Sequence, residues 1–169
     1  ELKEESGAFA PDYLMPLPES FRGKKFIVVA WSGLYDQSYD KELLTPGVST
    51  LQDMEVRVNN LKTRNGEGTV DRELHPLWHG KHTEIKPLYN NDITTVSLMK
   101  NTNTFRIVMQ MLDDASIDVN DYDFRIISPN GRYNHGNELQ NDEETEKVEY
   151  TVYHTENDDE TGAIAELNT

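Results

Sequence analysis

Three of the five histidines, His75, His79 and His82, lie within eight residues of one another. On a helix they would share one face and could ligate zinc. Pro76 and Gly80 interrupt that helix, and on a strand or in a turn the three side chains point in unrelated directions. They are read as loop or surface histidines, and no metal ligand is assigned. Asp118, Asn120, Asp121 and Asp123 supply oxygen donors close together. A calcium loop also needs a central glycine and a late glutamate, and both are absent at those offsets. A serine nucleophile needs a positioned base and an orienting acid. Ser32-Gly33 has no such partners in recognisable order, and there is no G-x-S-x-G elbow. Carboxylates are too abundant for any pair to stand out as a glycosidase dyad. No glycine-rich phosphate loop is present. The chain is therefore expected to have no catalytic, cofactor-binding or metal residues.

Composition narrows the partners. The 169 residues include 31 acidic and 16 basic side chains, a formal charge of −15. Such a chain repels phosphate backbones, which excludes generic nucleic-acid binding. Ten of the acids fall in residues 138–160, against a single lysine, as expected of a solvated region. Cysteine is absent, so disulfides and thiolate chemistry are excluded within these residues. No apolar run approaches the roughly 18 residues that a membrane helix requires.

The elements that would have to position any site are short and extended. Residues 1–24 are rich in Pro, Gly and Ser and read as an irregular leader or arm. Residues 26–31 (FIVVAW) are β-branched and aromatic and read as a buried strand. Met54, Val56 and Val58 alternate with polar residues, as in a half-buried strand. Asn65-Gly66 is a turn signal. Residues 70–78 form a further strand candidate, cut by Pro76, with a turn at His79-Gly80 and a weak strand at 83–88. The apolar runs 96–99 and 105–112 flank a polar joint, KNTNT, expected to be a turn or bulge. Phe105, Ile107, Met109 and Met111 share one parity and are expected to be buried. Alternation returns at 121–128 and 148–154, and 162–167 offers a short last strand. Seven to nine strands without a sustained helical period predict an all-β domain over residues 25–169. Its expected form is an antiparallel β-sandwich of about seven strands. Phe26, Val28, Val56, Val58, Leu98, Phe105, Ile107, Met109, Phe124, Ile126, Tyr150 and Val152 are expected inside.

Three stretches carry a family resemblance. Residues 96–110 (VSLMKNTNTFRIVMQ), 122–139 (YDFRIISPNGRYNHGNEL) and 165–169 (AELNT) together resemble the FimB-type fimbrillin anchor family, the minor-fimbrium anchoring subunits of Bacteroidales. His75-Pro76-Leu77-Trp78-His79-Gly80 is similar to the aromatic-glycine step before the first of them. The resemblance implies a transthyretin-like, Greek-key sandwich, here the first domain of a two-domain protein. It implies a non-enzymatic fimbrial (pilus) anchor or assembly subunit, exported to the outer membrane or cell surface as a lipoprotein. Its partners would be fimbrial subunits, joined by β-strand addition. The lipid-bearing cysteine of that family has no counterpart in the chain. A carbohydrate- or protein-binding sandwich of the cell envelope stands as the alternative, using aromatics such as Trp31, Trp78, Tyr133 and Tyr153. The leader is expected to pack on the domain as a strand or arm, which would make trypsin cleavage at Arg22, Lys24 or Lys25 slow.

Overall fold

The computed structural model describes residues 10, 12–59, 61–62, 68–88, 92–113, 115–140, 147–158 and 162–169. Among them there is no α-helix, only three single 3-10 turns and thirteen strands. The expected turn at Asn65-Gly66 lies outside the described residues.

Four small sheets make up the fold. The first places β6 (Trp78–Ile85) between β1 (Phe26–Ser32) and the two-residue β7 (Met99–Lys100). The second places β3 (Glu55–Val58) between β10 (Arg132–Asn134) and β2 (Tyr39–Lys41). The third runs β4 (Leu61–Lys62), β5 (Gly68–Val70), β11 (Val148–Thr151), β9 (Arg125–Ser128). The fourth sets β13 (Gly162–Asn168) between β12 (His154–Asp158) and β8 (Thr104–Gln110). Pairing is antiparallel throughout except between β11 and β5. The fold is all-β, as the alternation predicts. The strand count exceeds seven because several ladders are only two or three residues long, too short to leave a period-two trace.

Two hydrophobic cores result. The larger unites the first three sheets through Tyr39, Val56, Val58, Val70, Leu74, Leu77, Val148 and Tyr150, with Trp31, Leu34 and Ile126 packed on it. The smaller lies under the fourth sheet. Ala163 and Ala165 of β13 meet Ile117 and Val119, flanked by Ile107, Met109, Phe124 and Val152. Alanine suits this place because both positions are completely buried in the central strand, and the segment around 117–119 lies close against it. The remaining members of the expected core, Phe26, Val28 and Leu98, are half-buried.

Several expectations are corrected. The turn expected at His79-Gly80 is mid-strand in β6. Gly80 is there for close approach. A Cβ on it would stand 2.5 Å from the Ser97 carbonyl oxygen and 2.7 Å from Leu98 Cδ2, because residues 96–98 cross over it. The KNTNT joint closes no hairpin. β7 pairs with β6 and β8 pairs with β13, so the joint carries the chain from the first sheet to the fourth. Phe105 is exposed, because β8 lies at the flank of its sheet. Residues 12–20 of the leader are exposed and enter no strand, so the described leader does not pack as a strand. Leu14 and Leu17 find no core there because Pro16 and Pro18 deny the segment a ladder.

Candidate functional site: the open flank of β8

The residues that could do chemistry are engaged in structural work. Ser38 and His75 form a pair with Oγ 2.9 Å from Nδ1, the spacing of a nucleophile and its base. Ser38 is only 1% exposed, however, and its Oγ also accepts the His75 backbone N–H at 3.1 Å. No substrate can reach it. Tyr35 stacks on the His75 ring, and the Tyr39 hydroxyl donates to the His75 carbonyl. His79 is buried against Trp31 at 4.5 Å between ring centres, and its Nε2 donates to the His135 carbonyl at 3.1 Å. His82 turns its Nδ1 to the neighbouring Thr83 carbonyl. The three histidines thus serve different neighbours. Among the described residues no three His, Cys, Asp or Glu side chains gather to hold a metal.

The Asp118 carboxylate caps a 3-10 turn. Its Oδ1 accepts the Asn120 backbone N–H and amide, and the Asn157 amide. The first of these bonds holds its pKa below the usual carboxylate range. Among the aromatics proposed as a binding surface, Tyr133 is buried in the second sheet and Trp31 is half-buried on the larger core. Tyr153 points its hydroxyl at Glu166. Trp78 alone of the four is exposed.

What stands out is a strand flank. β8 is laddered to β13 at seven successive positions, from Asn168 opposite Thr104 to Gly162 opposite Gln110. Among the described residues it has no strand on its other side. Apolar side chains are exposed along it and just beyond its end: Phe105, 46%; Val108, 65%; Leu112, 97%. Sequence alternation found this strand and expected Phe105, Ile107 and Met109 inside; Ile107 and Met109 pack on the smaller core, and Phe105 does not. Apolar residues on both parities, Val108 and Leu112 beside Phe105 and Ile107, were the signal that one buried face does not account for this strand.

The other flanks differ. β1 is as long as β8 and ends its sheet, yet its side chains are half-buried apart from Ile27. β12, the opposite flank of the β8 sheet, reads HTEND, and residues 154–157 are exposed and polar. Charged and polar side chains on an edge strand discourage further pairing. The fourth sheet therefore has one polar flank and one flank with exposed apolar side chains.

The described residues thus form an all-β domain of four small, mostly antiparallel sheets, one flank of which carries exposed apolar side chains. The model of the family of fimbrillin-A associated anchor proteins Mfa1 and Mfa2 matches residues 2–169, and the chain belongs to that family. No curated protein matches it in sequence. Among solved structures it is similar to a candidate polysaccharide-binding protein from Bacteroides thetaiotaomicron VPI-5482, at 28% identity and a TM-score of 0.70, covering 88% of this chain and 50% of that one. A candidate adhesin from the same organism gives 28% identity and a TM-score of 0.69, covering 94% and 53%. The fimbrial anchor protein Mfa2 from Porphyromonas gingivalis shares the fold at 16% identity and a TM-score of 0.59, covering 86% and 51%. The chain spans about half the length of these structures.

Proposed function

We propose that this chain is a domain of a non-enzymatic fimbrial anchor or assembly subunit at the cell surface, and that it holds a fimbrial partner through strand addition on β8. Residues 25–169 form the β domain on this reading, the first of two, and residues 1–24 are a leader. Attachment to the outer membrane would be through a lipid carried elsewhere in the protein. Family membership supports the fimbrial role. The observation that carries the strand-addition reading is the β8 flank itself: seven residues long, laddered on one side, with exposed apolar side chains. An added strand would take its affinity from backbone hydrogen bonds and its specificity from the alternating side chains of β8.

The test is Val108→Lys. Val108 is exposed, so the fold should tolerate the change, while a lysine on an edge opposes a neighbouring strand. The variant should lose co-sedimentation with assembled fimbriae and keep its melting temperature. Full co-sedimentation by the variant, together with failure of Val108→Cys to cross-link to any fimbrial subunit, would sink the reading. The carbohydrate-binding alternative rests on exposed Trp78 and on the description of one structural neighbour. Glycan-array signal abolished by Trp78→Ala would favour it.

A further inference from the structure

Residues 134–138, NHGNE, form a loop that is built rigidly and then fastened to another sheet. Within the loop, Asn134 Oδ1 accepts the backbone N–H of Gly136 at 2.8 Å and of Glu138 at 3.0 Å. Asn134 Nδ2 donates to the Glu138 carboxylate at 2.9 Å. Asn137 takes a positive φ of 64°, which asparagine tolerates better than most residues.

The fastening uses three contacts. His79 Nε2 on β6 donates to the His135 carbonyl. Lys81 Nζ, two residues along β6, lies 3.1 Å from His135 Nδ1. Asn101, in the joint between β7 and β8, exchanges two amide hydrogen bonds with Asn137. An ammonium group only donates, so His135 Nδ1 must be an unprotonated acceptor.

We propose that this loop is an acid-released clasp, in which protonation of His135 breaks its hold on β6 and loosens the β7–β8 joint. A proton on Nδ1 takes up the lone pair that Lys81 uses and sets two cations side by side. His79 is not the switch: burial holds its pKa below the ordinary histidine value, and its bond to the His135 carbonyl favours the charged ring and so opposes release. The other charged and titratable groups around the loop do not counter the repulsion between Lys81 and His135. Glu138 is committed to Asn134, and Glu55, across from Asn134 on β3, is held by Arg132 on β10. Tyr133 is buried and neutral, and Trp31 on β1 has nothing to titrate. Lys100 on β7 pairs opposite Trp78 and adds only positive charge to that region. Histidine is the side-chain type whose charge changes nearest neutral pH, so the test compares pH 7.5 with pH 5.0. The inference stands on these contacts and does not depend on strand addition.

Amide hydrogen exchange resolved to residues 133–140, corrected for the intrinsic pH dependence, tests it at pH 7.5 and 5.0. Protection of Gly136, Asn137 and Glu138 should fall at least tenfold at the lower pH. His135→Gln should abolish that change. Lys81→Met, which removes the repelling cation from a solvated site, should reduce it. Equal protection of the wild-type loop at both pH values overturns the proposal, and so does a wild-type loss that persists undiminished in both variants.

Discussion

Gly33→Ala should be among the most damaging single-methyl additions in this protein. Gly33 has φ +87°, in the left-handed region, where an L side chain costs about 1–2 kcal/mol. A Cβ there would also overlap the Pro76 carbonyl oxygen and stand 3.0 Å from the carbonyl carbon. Both are backbone atoms, so relief requires a shift of the segment leading to Leu77, which is wholly buried in the larger core. Overpacking of this kind costs about 1–3 kcal/mol. Together the two effects come to about 3 kcal/mol, which at about 2–4 °C per kcal/mol for a domain this size lowers the melting temperature by about 6–12 °C. Two controls separate the causes. Gly47 has φ +79° with nothing within 4 Å of a Cβ, so Gly47→Ala reports the backbone cost alone. Gly80 has the contacts without the positive φ, so Gly80→Ala reports crowding alone. Alanine stiffens the unfolded chain equally in each case, so differences between variants are cleaner than absolute values. Urea denaturation of the three variants decides the matter. If Gly33→Ala costs no more than Gly47→Ala, the close approach of residue 33 to Pro76 is wrong.

Other outcomes follow from particular contacts. Burial lowers the pKa of His79, so the folded state favours the neutral ring. Below the unfolded value of about 6.5 the unfolded chain then binds more protons, so stability should fall as pH drops through that value toward the lower folded one. Urea midpoints at pH 8 and pH 5 check the sign, with His79→Gln expected to flatten the difference. Glu55 accepts from Arg132 Nε at 2.8 Å and Nη2 at 2.6 Å in a mostly buried position. Glu55→Ala should cost about 1.5–3 kcal/mol by denaturation, as for a charge-assisted hydrogen bond. The buried Tyr150 hydroxyl donates to Asn130 Oδ1 at 2.7 Å, so Tyr150→Phe should cost about 1–3 kcal/mol through the unpaired acceptor left behind. Residues 22–25 are exposed and follow the exposed segment 12–20. Limited trypsin digestion should therefore remove the leader quickly without changing the melting temperature.

Alternation of side chains made β3, β8, β11 and the all-β class legible. It failed where neighbours in space, absent from any local pattern, decide the structure. Gly80 reads as a turn residue, and only the segment crossing it at 96–98 explains a glycine inside a strand. Ala163 and Ala165 look too small to anchor anything, yet they lie at the centre of the fourth sheet because the chain over them is close. Phe105 has the parity of a core residue and the position of an edge, and position wins. The candidate site was hidden for the same reason. Sequence shows which residues are apolar, and which flank of a sheet lacks a neighbour is a property of the whole fold.

The arrangement around β13 has a mechanical consequence. Both neighbours run antiparallel to it, over seven pairs with β8 and five with β12, and Asn103 and Thr169 exchange two further backbone hydrogen bonds at its end. A force along the strand axis loads these ladders in shear, so many bonds must fail together. A force across the strand would peel them one at a time. Drawn lengthwise, this strand should yield at a higher rupture force than the two- and three-residue ladders elsewhere in the molecule, and the direction of loading would decide how much tension the domain bears.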